Sequence, residues 1–105
     1  MTKKENHFVF EKDYYEEHTF DKINLGGNNF THIEFYNCEF GSCQFTKTIF
    51  DNCVFEKCAF RDCDFSVAKF SGSSFIDVKF EDCKLLGIDW TLAQKPSGIN
   101  FSKCI

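Results

Sequence analysis

Phenylalanine falls on every fifth residue through the middle of this chain: Phe30, Phe35, Phe40, Phe45, Phe50, Phe55, Phe60, Phe65, Phe70, Phe75 and Phe80. Extending the frame adds Phe20 and Leu25 before this run, and Leu85 and Trp90 after it, making fifteen bulky apolar residues in succession without a slip. From Phe40 onward the position two before each is restricted too, reading Cys38, Cys43, Thr48, Cys53, Cys58, Cys63, Ala68, Ser73, Val78, Cys83 and Ile88. Small and mostly apolar side chains dominate there. Twelve of the fifteen phenylalanines lie in the frame, so the unusual composition and the periodicity are one observation.

A period of five excludes the two regular structures. An α-helix turns about 100° per residue, so residues five apart stand about 140° apart and would be smeared around its circumference. A continuous strand alternates faces at every residue, so an odd period would send successive rings to opposite sides. A short strand followed by a corner meets both constraints. With the phenylalanine at position i, residues i−2 and i point inward, i−1 points outward, and i+1 and i+2 turn the corner. If each corner turns about 90°, four pentapeptides close one coil and successive coils stack like parallel strands about 4.8 Å apart. Phe20, Phe40, Phe60 and Phe80 then form one inner column, and Phe30, Phe50, Phe70 and Trp90 another. The outward residues agree, being mostly polar, as in Arg61 and Asp62 after Phe60.

This motif, a small residue at i−2 and Phe or Leu at i, resembles the pentapeptide-repeat proteins over residues 19–92. The resemblance implies an all-β fold, a right-handed quadrilateral β-helix of about four coils. The square section and the hand come from the resemblance, the five-residue register from the residues themselves. The stretch Asp82-Cys83-Lys84-Leu85-Leu86-Gly87-Ile88-Asp89 is similar to one in the quinolone-resistance branch, some of whose members mimic DNA and engage DNA gyrase. That branch implies a topoisomerase as partner.

Three segments are expected. Residues 1–17 form an N-terminal cap, with a partly disordered start as the alternative; Phe8, Val9 and Phe10 alternate weakly enough for a short strand. Residues 18–92 are the repeat. Residues 93–105 form a loop, where Lys95 takes the place of an apolar residue, followed by a new register with Ile99 and Phe101 as its i−2 and i pair. Cys104 is then the next i−2 residue, with its partner one residue past Ile105. Either the chain is a fragment of a longer helix, the favoured reading, or another chain covers its end, which leaves room for a homodimer through an exposed end coil. Two further residues stand in the inward i−2 slot near the start. Asn28 needs hydrogen-bond partners there, and His18 is expected to pack against the cap.

The function classes narrow by elimination. A net charge of −4, from 16 acidic and 12 basic residues, argues against direct nucleic-acid binding, which favours a basic stripe. It suits a protein partner with a basic surface. There is no signal-peptide core and no apolar run of membrane-spanning length, so a cytoplasmic location is expected. Seven cysteines, six of them spaced by multiples of five, suit buried thiols better than zinc ligands or disulfides. A filled rod has no concave site that would tune a carboxylate pair, such as Glu81 with Asp82, for acid–base work. No catalytic residue, metal ligand or cofactor is assigned. The expected role is a non-catalytic protein-interaction or structural module, with a gyrase-binding DNA mimic as the alternative. The outward apolar residues Tyr36, Val54 and Ile76 fall on one face and are the candidate interaction face.

Overall fold

A computed structural model describes residues 10–94 and 96–105. The chain winds as a parallel β-helix of short strands: β1 (Tyr14–Glu16), β2 (Thr19–Asp21), β3 (Asn29–Thr31), β4 (Glu34–Tyr36), β5 (Glu39–Gly41), β6 (Ile49–Asp51), β7 (Val54–Glu56), β8 (Ala59–Arg61), β9 (Ser74–Glu81) and β10 (Ser97–Ser102). A 3-10 turn at Trp90–Leu92 lies between the last two. Each coil takes twenty residues, because the strands before β9 pair in parallel with the segment twenty residues on, β6 through the single bridge Ile49–Lys69 and the others strand to strand: Phe20 with Phe40, Phe30 with Phe50, Phe35 with Phe55, Phe60 with Phe80. The coil has four sides. Three carry strand ladders, and the fourth runs through the isolated bridges Asn24–Gln44, Gln44–Asp64 and Asp64–Lys84. The rod measures 47 × 28 × 23 Å.

The interior is a stack of rings. Within a column, rings lie nearly parallel, with centroids 4.6 Å apart for Phe45–Phe65, 4.7 Å for Phe40–Phe60 and 5.0 Å for Phe35–Phe55. Across a corner they meet edge to face, as Phe35 meets Phe40 at 5.3 Å and 74°. Both are geometries that the ring quadrupole favours. Phe35, Phe45, Phe55, Phe60, Phe65, Phe70, Phe75 and Phe80 are completely buried, and Phe20, Phe30, Phe40 and Phe50 nearly so. Trp90 closes the Phe70 column at 5.5 Å but keeps part of its surface exposed.

Corners share one backbone device. Residue i+2 adopts the left-handed conformation at every corner from Glu17 to Gly87 and again at Gly98 and Lys103, whether it is glycine (Gly27, Gly72, Gly87, Gly98) or not (Glu17, Lys22, His32, Asn37, Ser42, Lys47, Asn52, Lys57, Asp62, Val67, Asp77, Asp82, Lys103); Leu92, in the 3-10 turn, does not. For a residue with a Cβ this costs about 1 kcal/mol, offset because its amide is committed to the ladder. Lys57 N–H, for example, donates to the Ile76 carbonyl at 2.8 Å.

The first boundary differs from expectation. The repeat begins before residue 18, because β1 pairs with β4 and Tyr15 occupies the frame position below Phe35, stacked at 5.6 Å. Its phenol is accommodated because the Lys12 amide donates to the hydroxyl at 3.0 Å. Phe10 covers this first coil, meeting Tyr15, Phe20, Phe30 and Phe35 edge to face at 4.8 to 5.6 Å. The short strand expected over residues 8–10 falls mainly on Phe8 and Val9, which lie outside the described residues. At the other end, one extra residue is absorbed before Ser97. β10 then pairs with β9 twenty-one residues back, Ser97 with Ile76 and Phe101 with Phe80, and the helical stack continues with Phe101 on Phe80 at 5.4 Å. Asn28 is half-buried and its amide donates to the Leu25 carbonyl at 3.3 Å. His18 stays exposed, its ring 5.3 Å from that of Tyr15.

Two substitutions separate packing from backbone strain. Ala68→Phe puts a second ring on a filled side and should destabilise by about 3 kcal/mol or more in chemical denaturation. Val67 is a β-branched residue in a left-handed corner (φ 61°) and is 51% exposed. Val67→Asn should therefore stabilise by about 0.5–1 kcal/mol, read as a raised denaturation midpoint.

Candidate interaction face

One side of the rod is built by β1, β4, β7 and the first part of β9. Parallel register sorts its outward side chains into two rows, Tyr14, Glu34, Val54 and Ser74 in one and Glu16, Tyr36, Glu56 and Ile76 in the other. Tyr36, Val54 and Ile76 thus share the face but form no continuous apolar strip. Glu56 stands between Tyr36 and Ile76, and Val54 belongs to the other row. Tyr36 and Val54 are half-buried, and Ile76 is 36% exposed.

Tyr14 is the aromatic that the sequence frame did not mark. It is 49% exposed, and its ring lies 5.4 Å from that of Tyr36. Stepping the frame back once more, to Tyr15, places Tyr14 in the outward i−1 row. Each phenol is tied to a carboxylate on its own strand: the Tyr14 hydroxyl donates to Glu16 at 3.0 Å and the Tyr36 hydroxyl to Glu34 at 2.8 Å. The hydrogen bond to Glu34, with burial and the surrounding negative charge, pushes the Tyr36 phenol up from its ordinary 10.0 to about 12. Tyr14 is raised by the same kind of contact with Glu16.

Charge is concentrated here. The four strands and the corners that follow them carry Glu16, Glu17, Glu34, Glu56 and Asp77 against Lys57 alone, which leaves eleven acidic and eleven basic residues in the rest of the chain. The net charge of −4 is therefore the charge of this face.

The cysteines serve the interior. All seven are free thiols and six are buried. Each i−2 thiol or hydroxyl donates to the carbonyl of a frame residue one coil below: Cys43 to Phe20, Thr48 to Leu25, Cys53 to Phe30, Cys58 to Phe35, Cys63 to Phe40, Ser73 to Phe50 and Cys83 to Phe60, over 2.7 to 3.7 Å. Packing thus explains why the slot is small, and the hydrogen bond explains why Cys, Thr and Ser share it. Burial pushes the Cys53 thiol up; in the stacked columns the shift splits, contact with the neighbouring coil's thiol holding Cys38, Cys43 and Cys83 down and pushing Cys58 and Cys63 up. Among the described residues no group of three or more His, Cys, Asp or Glu is placed to hold a metal ion. No helix among them is long and apolar enough to cross a membrane.

The family model described as a pentapeptide repeat region matches residues 15–90. No curated protein sequence matches the chain. Among solved structures, a pentapeptide repeat protein (Rfr23) from the cyanobacterium Cyanothece 51142 superposes with a TM-score of 0.64 at 7% identity, over 86% of this chain and 88% of that one. A trypsin-treated form of QnrB1, a plasmid-mediated fluoroquinolone resistance protein, superposes with a TM-score of 0.53 at 22% identity, over 87% of this chain and 49% of that one. The chain therefore spans about half the length of that QnrB1 chain.

The tyrosine–carboxylate contact has a direct optical test. A hydrogen bond that raises the phenol pKa is fully present below pH 10 and is lost as the pH rises through about 12. In a tyrosinate absorbance titration, Glu34→Gln should return the Tyr36 step towards pH 10.0, assigned by its disappearance in Tyr36→Phe.

Proposed function

Because the chain belongs to the pentapeptide-repeat family and folds as its right-handed quadrilateral β-helix, we propose that it is a non-catalytic interaction module that meets a protein partner through the face of β1, β4, β7 and β9. One observation carries this reading: the interior is filled by the chain's own rings, while the net charge and the outward tyrosines gather on a single side. A surface of that kind selects a partner by charge complementarity, with carboxylates steering a basic surface inward and Tyr14, Tyr36, Val54 and Ile76 supplying apolar contact. None of these outward side chains belongs to the buried core, which leaves the face available for recognition.

The second reading is a DNA mimic that binds DNA gyrase or another topoisomerase and protects it from quinolones. The concentration of carboxylates on one side of an elongated rod favours it, as does the likeness in fold to the fluoroquinolone resistance protein QnrB1.

Two experiments test these readings. A photoreactive residue at Ile76 should give a discrete cross-linked adduct in cells that Lys47, on a different side, does not. Unlabelled protein should suppress that adduct, and the charge-reversed Glu34→Lys/Glu56→Lys protein should not. Identical adducts from both positions, or none, would remove the interaction face. Purified gyrase supercoiling DNA in the presence of a quinolone tests the second reading. Restored supercoiling supports it, and unchanged inhibition at large protein excess eliminates it.

A further inference from the structure

A shallow groove of about 470 Å³ runs along the corner between the acidic face and the side that follows it. One wall is the corner column Asn37, Lys57 and Asp77, and the other is the strand row Glu39, Ala59 and Lys79. Sequence creates the dip: Ala59 lies in register between Glu39 and Lys79, so a methyl group stands where its neighbours carry long side chains. Beneath it are the buried Cys38 and Cys58.

Charge in the groove departs from the acidity of the neighbouring face. Lys57, Arg61 and Lys79 meet Glu39 and Asp77 there, and Glu81 beside Arg61 brings the group to neutrality on a protein of net charge −4. Arg61 is already engaged, at 3.3 Å from Glu39 and 3.2 Å from Glu81. Lys57 and Lys79 have no ion-pair partner among the described residues, and the Asn37 side-chain amide no hydrogen bond, its backbone N–H donating to the Glu56 carbonyl at 2.9 Å. Three donors therefore border one alanine-floored dip without protein acceptors. Lys57 and Asn37 are presented by backbone held in the left-handed corner conformation, at φ 56° and 55°. Their Cα positions are thereby fixed by the ladder, which lowers the cost of converging on a ligand.

We propose that this groove binds a small oxyanion-bearing ligand, a carboxylate or phosphate compound, seated over Ala59 between Lys57 and Lys79 with the Asn37 amide as a third donor. The volume suits a small molecule, and both ammonium groups reach it as point charges. Being open to solvent, the site is salt-sensitive. It does not depend on the acidic face having a protein partner.

The test is a titration of the isotope-labelled full chain, followed by amide resonances, with citrate and with inorganic phosphate at matched ionic strength. Saturable shifts should be confined to the amides around Asn37, Lys57, Ala59 and Lys79. The dissociation constant should rise about tenfold or more in Lys57→Gln/Lys79→Gln and stay unchanged in Lys47→Gln/Lys84→Gln, which removes two lysines elsewhere. Ala59→Glu, which fills the dip with a competing carboxylate, should abolish the shifts while leaving the thermal melt intact. Tighter binding of citrate identifies a carboxylate ligand, and tighter binding of phosphate a phosphorylated one. Non-saturating shifts, shifts shared equally by all lysine-bearing corners, or wild-type affinity in the Lys57/Lys79 double variant would overturn the proposal.

Discussion

Everything in this molecule depends on coil-to-coil register, the parallel pairing that sets each residue on the one twenty positions before it. That pairing converts a one-dimensional period into four vertical columns. The backbone ladder sets the spacing between coils, and the rings fill it at centroid distances close to those that aromatic pairs prefer. Neither contribution suffices alone. Three-residue strands are too short to persist in isolation, and a column of phenylalanines without the ladder has nothing to hold its spacing. The i−2 residues join the two, since each thiol or hydroxyl both fills space beside a ring and donates to the backbone of the coil below.

Because the inward positions are committed to this double task, information about partners is confined to the outward ones. Every pentapeptide leaves three side chains free, and the twenty-residue period decides which of them become neighbours. Glu16, Glu34 and Glu56 are scattered in the sequence but lie on three successive coils of one side. Arg61 likewise meets Glu39 and Glu81 from the coils below and above. The surface is a grid written along the chain in steps of twenty.

The sequence made the interior legible because its signal was redundant: a slip by any one phenylalanine would have shown. Tyr36, Val54 and Ile76 could also be assigned to one side by counting. Other features were less visible, each for a physical reason. Tyr15 belongs to the ladder, but a phenol at an inward position reads as polar until the Lys12 amide is seen to satisfy it. Tyr14 went unmarked with it. The left-handed corners were hidden because Lys, Asp, Asn and even Val occupy them, and the ladder imposes that conformation on residues that would not choose it. The interruption of the apolar strip by Glu56 depends on which of two rows each residue joins, a distinction that assignment to a side does not make.

The extra residue absorbed before Ser97 leaves Phe101 stacked on Phe80 as though nothing had been inserted. The frame rings lie inside the coil and the corners outside it, so added length there is answered mainly by loop entropy, which grows slowly with length. A rod built this way has rigid sides and extensible edges: appendages can be grown at any of its corners while the frame beneath keeps count.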